Sequence, residues 1–144
     1  MSQPIQQNVE LRLRTLRMLW LALFGTIGLY FALTFFMGPS EDVEPNSMLS
    51  LIFIVVGLST TLISFLIKSK LIARAIEQQQ VQLVQQAYIL TWAITEVAAL
   101  LGMLDFFATG HAHYYILFII SAIGFLLNAP RRDHLINAWP KTRI

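Results

Sequence analysis

Residues 87–107 read AYILTWAITEVAALLGMLDFF, uncharged except at Glu96 and Asp105. A helix needs about 20 apolar residues to cross the hydrocarbon core of a bilayer, and this run has that length. It contains no Pro, and its one Gly, Gly102, does not stop a helix. Three further apolar runs surround it. Residues 18–37 and 48–67 carry no charge at all, and residues 112–129 form a shorter run bounded by Pro130. The expected fold is therefore all-α: one domain over residues 1–144, a polytopic membrane protein with four transmembrane helices. Composition agrees. The chain is 56% hydrophobic and 12% charged, and a soluble domain carries about twice that charge.

The placement of charge predicts the topology. Arg12, Arg14 and Arg17 precede the first run; Lys68, Lys70 and Arg74 follow the second; Arg131, Arg132, Lys141 and Arg143 follow the fourth. With four spans, all ten Lys and Arg fall on one side. The excess of positive charge on cytoplasmic segments then predicts both termini in the cytoplasm, in a multi-pass protein of a bacterial-type inner (plasma) membrane. The opposite loops carry Glu41, Asp42, Glu44, His111 and His113. The basic clusters read as topology signals at anionic headgroups. No basic patch with interleaved aromatics is present, so no nucleic-acid partner is expected. The absence of Cys excludes disulfides, thiol chemistry and Cys-ligated metals. The first apolar run is too long for a signal peptide, and none is expected.

Local signals fill in the connections. Gly38-Pro39 ends the first run, and Asn46 or Ser47 can cap the second. Nothing between Lys68 and Gln86 breaks a helix, which predicts a long hairpin projecting from the membrane and turning near residues 78–80. A tight loop at Gly110 makes the third and fourth helices antiparallel neighbours. Residues 128–133 read as a capped start to a short interfacial helix, with Trp139 as an aromatic anchor. At an offset of 72 residues Trp20 matches Trp92, Leu29 matches Leu101, Phe35 matches Phe107 and Gly38 matches Gly110, a pattern of two related hairpins. Each run also has a stripe of small residues: Gly25, Gly28 and Ala32; Ser50, Gly57 and Ser64; Thr91, Thr95, Ala98, Gly102 and Asp105; Ser121 and Gly124. Such stripes allow close helix approach, within one chain or between subunits.

Glu96 is the candidate functional residue. A charged carboxylate near the bilayer centre costs roughly 3 kcal/mol or more, so such residues are functional, or neutral and hydrogen-bonded. Counted along the helices, Ser59, Thr60, Thr61, Thr26 and Ser121 lie at a similar depth, roughly 12–14 Å into the membrane. Glu96 is the one ionisable member of this layer. The expected site is Glu96 hydrogen-bonded to a hydroxyl of Ser59, Thr60 or Thr61, within one subunit or across an interface. A protonated carboxyl donates one hydrogen bond and accepts others, and hydroxyls are suitable partners. His111 and His113 read as a solvated turn, so no metal is expected. No cofactor-binding pattern and no catalytic constellation is visible, and no enzyme is expected.

Residues 57–102 resemble the helical hairpin of the proteolipid c subunits of rotary ATPases. That family has an apolar helix, a polar loop with the pattern Ala-Arg-Gln-Pro-Glu, and a second helix carrying a mid-membrane carboxylate followed by small and aliphatic residues. Here the loop reads Ala73-Arg74-Ala75-Ile76-Glu77, and the second helix reads Ala93-Ile94-Thr95-Glu96-Val97-Ala98-Ala99-Leu100-Leu101-Gly102. The resemblance covers about a third of the chain. It implies that Glu96 is an ion-carrying carboxylate and Arg74 part of a rotor-facing loop.

Two functions follow as expectations. In one, Glu96 handles protons or cations in a proteolipid-like oligomer, with Ser59, Thr60 and Thr61 completing the ion site. In the other, the chain is a non-catalytic accessory or assembly subunit of a larger membrane complex, and Glu96 is a protonated packing residue. The partners expected are the lipid bilayer and either further copies of this chain or the other subunits of a complex.

Overall fold

The computed structural model describes residues 3–38, 46–110 and 112–140. The described chain is helical: α1 (Gln3–Met37), α2 (Ser47–Glu77), α3 (Val81–Thr109), α4 (Tyr115–Leu127) and α5 (Arg132–Asn137), with a single 3-10 turn, Ala112–Tyr114, before α4. The first three are 35, 31 and 29 residues long and apolar enough to cross a membrane. Even the shortest spans about 44 Å, more than the hydrocarbon core, so their ends project. α4 is shorter than expected, at 13 residues. Its start is wound as the 3-10 turn, and Pro130 disfavours helix in the residue before it.

The helices run up, down, up, down. α2 and α3 are antiparallel and pack most extensively, joined by the expected turn at Gln78–Gln80. Gln79 takes the left-handed conformation there (φ 53°), and the Gln80 N–H reaches back to Ala75 O at 2.9 Å. α4 packs on both α3 and α2; α1 packs on α3 and α4, on the side away from α2. α3 and α4 thus form the middle of a four-helix arrangement, flanked by α1 and α2. Asn46 caps α2 as expected, its side chain accepting from the Leu49 N–H at 3.0 Å. Gly38 and Gly110 both have positive φ (68° and 58°), the conformation that ends a helix at least cost. The matched tryptophans also behave alike: Trp20 Nε1 donates to Phe125 O and Trp92 Nε1 to Asn128 O, both at the end of α4. The sequence assigned Asn128 to the start of α5. It instead closes α4, its Nδ2 donating to Gly124 O at 2.8 Å, and Arg131 occupies the cap position of α5 without a side-chain bond.

Burial inverts along the long axis. At the basic end, α5 folds back under the other helices and an apolar core forms: Val9, Leu13 and Leu16 from α1, Ala75 from α2, Val84 from α3, and Leu135 and Ala138 are all buried. Arg14, Lys70, Arg74 and Gln82 are exposed at this level. That is the pattern of a water-soluble collar. Farther along, the interior mixes apolar and polar side chains. Ala98, Leu117, Phe118 and Phe125 are buried together with Ser50, Thr61, Ser64, Thr91, Thr95, Asp105 and Ser121. The outside there is coated with Leu29, Phe35, Phe36, Leu51, Ile52, Leu62, Leu66, Ile119 and Ile123, all exposed. A continuous apolar coat is unfavourable in water and favourable in lipid. The two tiers meet near Arg17, Lys68, Tyr88 and Asn128.

Small residues do the packing inside the membrane tier. Gly57 faces Ala98 and Leu117, and Gly102 faces Leu117 and Phe118. Gly124 lies where α2, α3 and α4 converge, against Thr61 and Thr95. The stripes on α2, α3 and α4 are therefore used within the chain. Gly25 and Gly28 of α1 have nothing within 4 Å of the position a Cβ would take.

Candidate functional site

α3 carries two carboxylates inside the membrane tier, and the structure treats them differently. Asp105 is completely buried and joins α2 to α3. Ser50 Oγ donates to its Oδ2 at 2.8 Å, and Thr109 Oγ1 lies 2.8 Å from its Oδ1. Glu96, nine residues earlier, lies half a turn round the helix and points toward α1 (about 100° per residue). It is only half-buried.

Its partners are not those the depth count gave. Thr26 Oγ1 lies 2.8 Å from Glu96 Oε1, and Tyr30 O–H donates to the same oxygen at 3.1 Å. Both come from α1. The expected bonds to Ser59, Thr60 and Thr61 are not formed within the chain. Ser59 is exposed and donates to Val55 O at 2.7 Å, while Thr60 and Thr61 both donate to Gly57 O at 2.9 Å. The cause is azimuth. Thr95 faces α2 and shares a 3.1 Å hydrogen bond with Ser64. Glu96, one residue on, is turned about 100° away from α2. Thr26 belonged to the expected layer. Tyr30 did not, because it lies one turn farther along; its long side chain reaches back to the carboxyl. Ser121 donates to Thr95 O at 3.0 Å and so belongs to the α3–α4 seam.

The contacts of Thr26 decide what the site can do. Its Oγ1 is 2.6 Å from Leu23 O and 2.8 Å from Glu96 Oε1. A hydroxyl has one proton to give. If Glu96 is ionised, Thr26 donates to the carboxylate. If Glu96 carries a proton on Oε1, it donates to Thr26, and Thr26 donates to Leu23 O. Tyr30 donates to Oε1 in either case. Rotation of one hydroxyl accommodates both protonation states, with no heavy atom displaced. Glu96 Oε2 accepts no hydrogen bond among the described residues.

Trp92, one turn before Glu96, is fully buried against α4 and Tyr88. Arg74 is exposed in the last turn of α2. His111 and the acidic loop at Glu41, Asp42 and Glu44 lie outside the described residues. Among the described residues no group of three or more His, Asp or Glu is placed to hold a metal ion. Comparison of the chain with protein-family models, with curated proteins and with solved structures gives no match.

Proposed function

We propose that this small membrane-embedded protein handles protons at Glu96, in a bacterial-type inner membrane, with four crossings and both termini in the cytoplasm. The observation that carries this reading is the Thr26 hydroxyl. It lies between Leu23 O and Glu96 Oε1, so the carboxyl can take up or release a proton by turning one O–H bond. The half-exposure of Glu96 supports the reading, since a group that exchanges protons needs an open side. Asp105 shows the contrast: it is closed on all sides and suits a purely structural role. The resemblance of residues 57–102 to proteolipid c subunits agrees with the assignment of Glu96, but the added contact from α1 is a departure from a bare hairpin. Within the chain Ser59, Thr60 and Thr61 bond to backbone carbonyls of α2 and not to Glu96. A second copy that presents them would bring them to the carboxyl.

A second reading is supported by the same bonds. Thr26 and Tyr30 tie α1 to α3 through Glu96. The apolar window of α1 is the least buried among the long helices, so this tie adds to the hold of the collar and of the Trp20 bond to α4. On that reading the chain is a non-catalytic accessory or assembly subunit.

A hydrophobic carbodiimide separates the two, because it modifies a protonated carboxyl that can be reached from within the membrane. Proton handling predicts labelling at Glu96, loss of labelling in Glu96→Gln, and none at Asp105. An unlabelled Glu96, or equal labelling of Asp105, contradicts it.

A further inference from the structure

Where α2 leaves the membrane tier, a cleft of about 500 Å³ opens between it and the segment that links α4 to α5. Lys68, Arg131 and His134 line it together with Phe65, Ile72 and Leu127. Neither Lys68 nor Arg131 has a carboxylate partner among the described residues. Among the described residues the one ion pair at this end is Arg132 with Glu10 at 2.9 Å.

The fold holds the Lys68 ammonium and the Arg131 backbone in place. Lys68 Nζ donates to Asn128 Oδ1 at 2.9 Å and lies 5.0 Å from the centre of the Tyr88 ring. That leaves two of its three protons to give. The Arg131 backbone N–H donates to Tyr88 Oη at 3.0 Å, which anchors the residue while its side chain stays exposed. Tyr88 Oη and His134 Nδ1 share a hydrogen bond at 2.7 Å, which orients the imidazole at the edge of the cleft. Among the described residues Asp133 is the one acid that acts on His134, and it is exposed.

The cleft thus combines unpaired positive charge with an apolar floor, at the junction of the collar and the lipid-coated tier. The geometry points to a binding site for the headgroup phosphate of an anionic phospholipid, held by Lys68 and Arg131, with an acyl chain along Phe65 and Leu127. Free phosphate shares the headgroup's charge but has no use for the apolar floor. Basic recesses between membrane helices select anionic headgroups in this way. This inference does not depend on Glu96.

The test uses the full chain in a non-ionic detergent, titrated with phosphatidylglycerol or phosphatidylcholine, with bound lipid counted by native mass spectrometry. The parent protein should retain phosphatidylglycerol at least tenfold more tightly than phosphatidylcholine. Each cationic group contributes about fivefold, so Lys68→Gln with Arg131→Gln should weaken phosphatidylglycerol binding by roughly 30-fold. Lys70→Gln with Arg74→Gln removes the same charge from exposed positions outside the cleft and should change it less than twofold. If the double variant at the cleft does not fold, Arg131→Gln alone should lose about fivefold, since its side chain is exposed and its backbone bond to Tyr88 persists. Unchanged lipid preference in the cleft variants, or an equal loss in the control pair, overturns the site. Displacement of the lipid by millimolar inorganic phosphate overturns the choice of a lipid as its ligand.

Discussion

Gly124 is where the packing is least forgiving. A Cβ at this position would lie 2.6 Å from Thr95 Cγ2 and 2.9 Å from Thr61 Cγ2, both inside van der Waals contact. Neither threonine can swing its methyl group aside cheaply. Thr95 Oγ1 donates to Thr91 O at 2.8 Å and contacts Ser64, and Thr61 Oγ1 donates to Gly57 O at 2.9 Å. A new rotamer at either residue breaks a buried hydrogen bond, so α4 must move instead. Overpacking of this kind costs about 1–3 kcal/mol. The higher helix propensity of Ala returns up to about 1 kcal/mol. Gly124→Ala should therefore destabilise the protein by roughly 1–2 kcal/mol. Gly57→Ala should cost less, because its nearest obstacle is the tip of the flexible Leu117 side chain. Gly28→Ala meets nothing within 4 Å and should be neutral or slightly stabilising. The assay is reversible unfolding in mixed micelles, followed by loss of helical circular dichroism. Equal stability of Gly124→Ala and Gly28→Ala would refute the convergence of α2, α3 and α4 at this point.

Three more outcomes follow. Asp105→Ala removes the acceptor of Ser50 from a fully buried seam and should destabilise the α2–α3 pair by about 1–2 kcal/mol in the same assay. Tyr30→Phe removes one of the two α1 hydroxyls at Glu96; it should loosen α1 by about 0.6 kcal/mol and speed carbodiimide labelling of Glu96. Burial, with repulsion from Lys68 and Arg131, holds His134 below the ordinary imidazole value, against an opposing pull from Asp133. The unfolded chain then takes up this proton first as pH falls. The contribution of His134 is full above about pH 6.5 and is lost as pH falls through the lower folded value. Protection of the α5 amides, taken relative to their intrinsic exchange rate at each pH, should fall below that pH, and His134→Asn should flatten the dependence.

The long helices were legible because uninterrupted apolar runs of membrane length have few other solutions. The hairpin turn at Gln78–Gln80 was legible because nothing before it breaks the helix. What the sequence concealed was azimuth. In a soluble helix the polar face marks the outside, but in lipid nearly every face is apolar, so α1 gives no contrast between lipid and protein. Its glycines Gly25 and Gly28 resemble a packing stripe and face outward. Depth placed Glu96 level with both Thr26 and Thr60, and depth alone does not choose between them. The deciding signal was present on α3. Thr91, Thr95, Ala98, Gly102 and Asp105 form the buried stripe, and Glu96 is not a member of it, so its partner had to come from another helix than α2. Tyr30 was hidden by the reach of its side chain, which residue counting does not include.

Proton movement through Glu96 is the central claim, and flux across vesicles measures it most directly. The parent protein and Glu96→Gln are reconstituted at equal density in vesicles holding a pH-sensitive dye, and a potassium diffusion potential is applied. Gln keeps the hydrogen bonds to Thr26 and Tyr30 but cannot ionise. The account predicts a potential-driven pH change with the parent protein and none above empty vesicles with Glu96→Gln, while both variants retain the same helical content. Equal flux in the two, or no flux from the parent protein, would contradict it and leave Glu96 as one of the ties that hold α1 against α3.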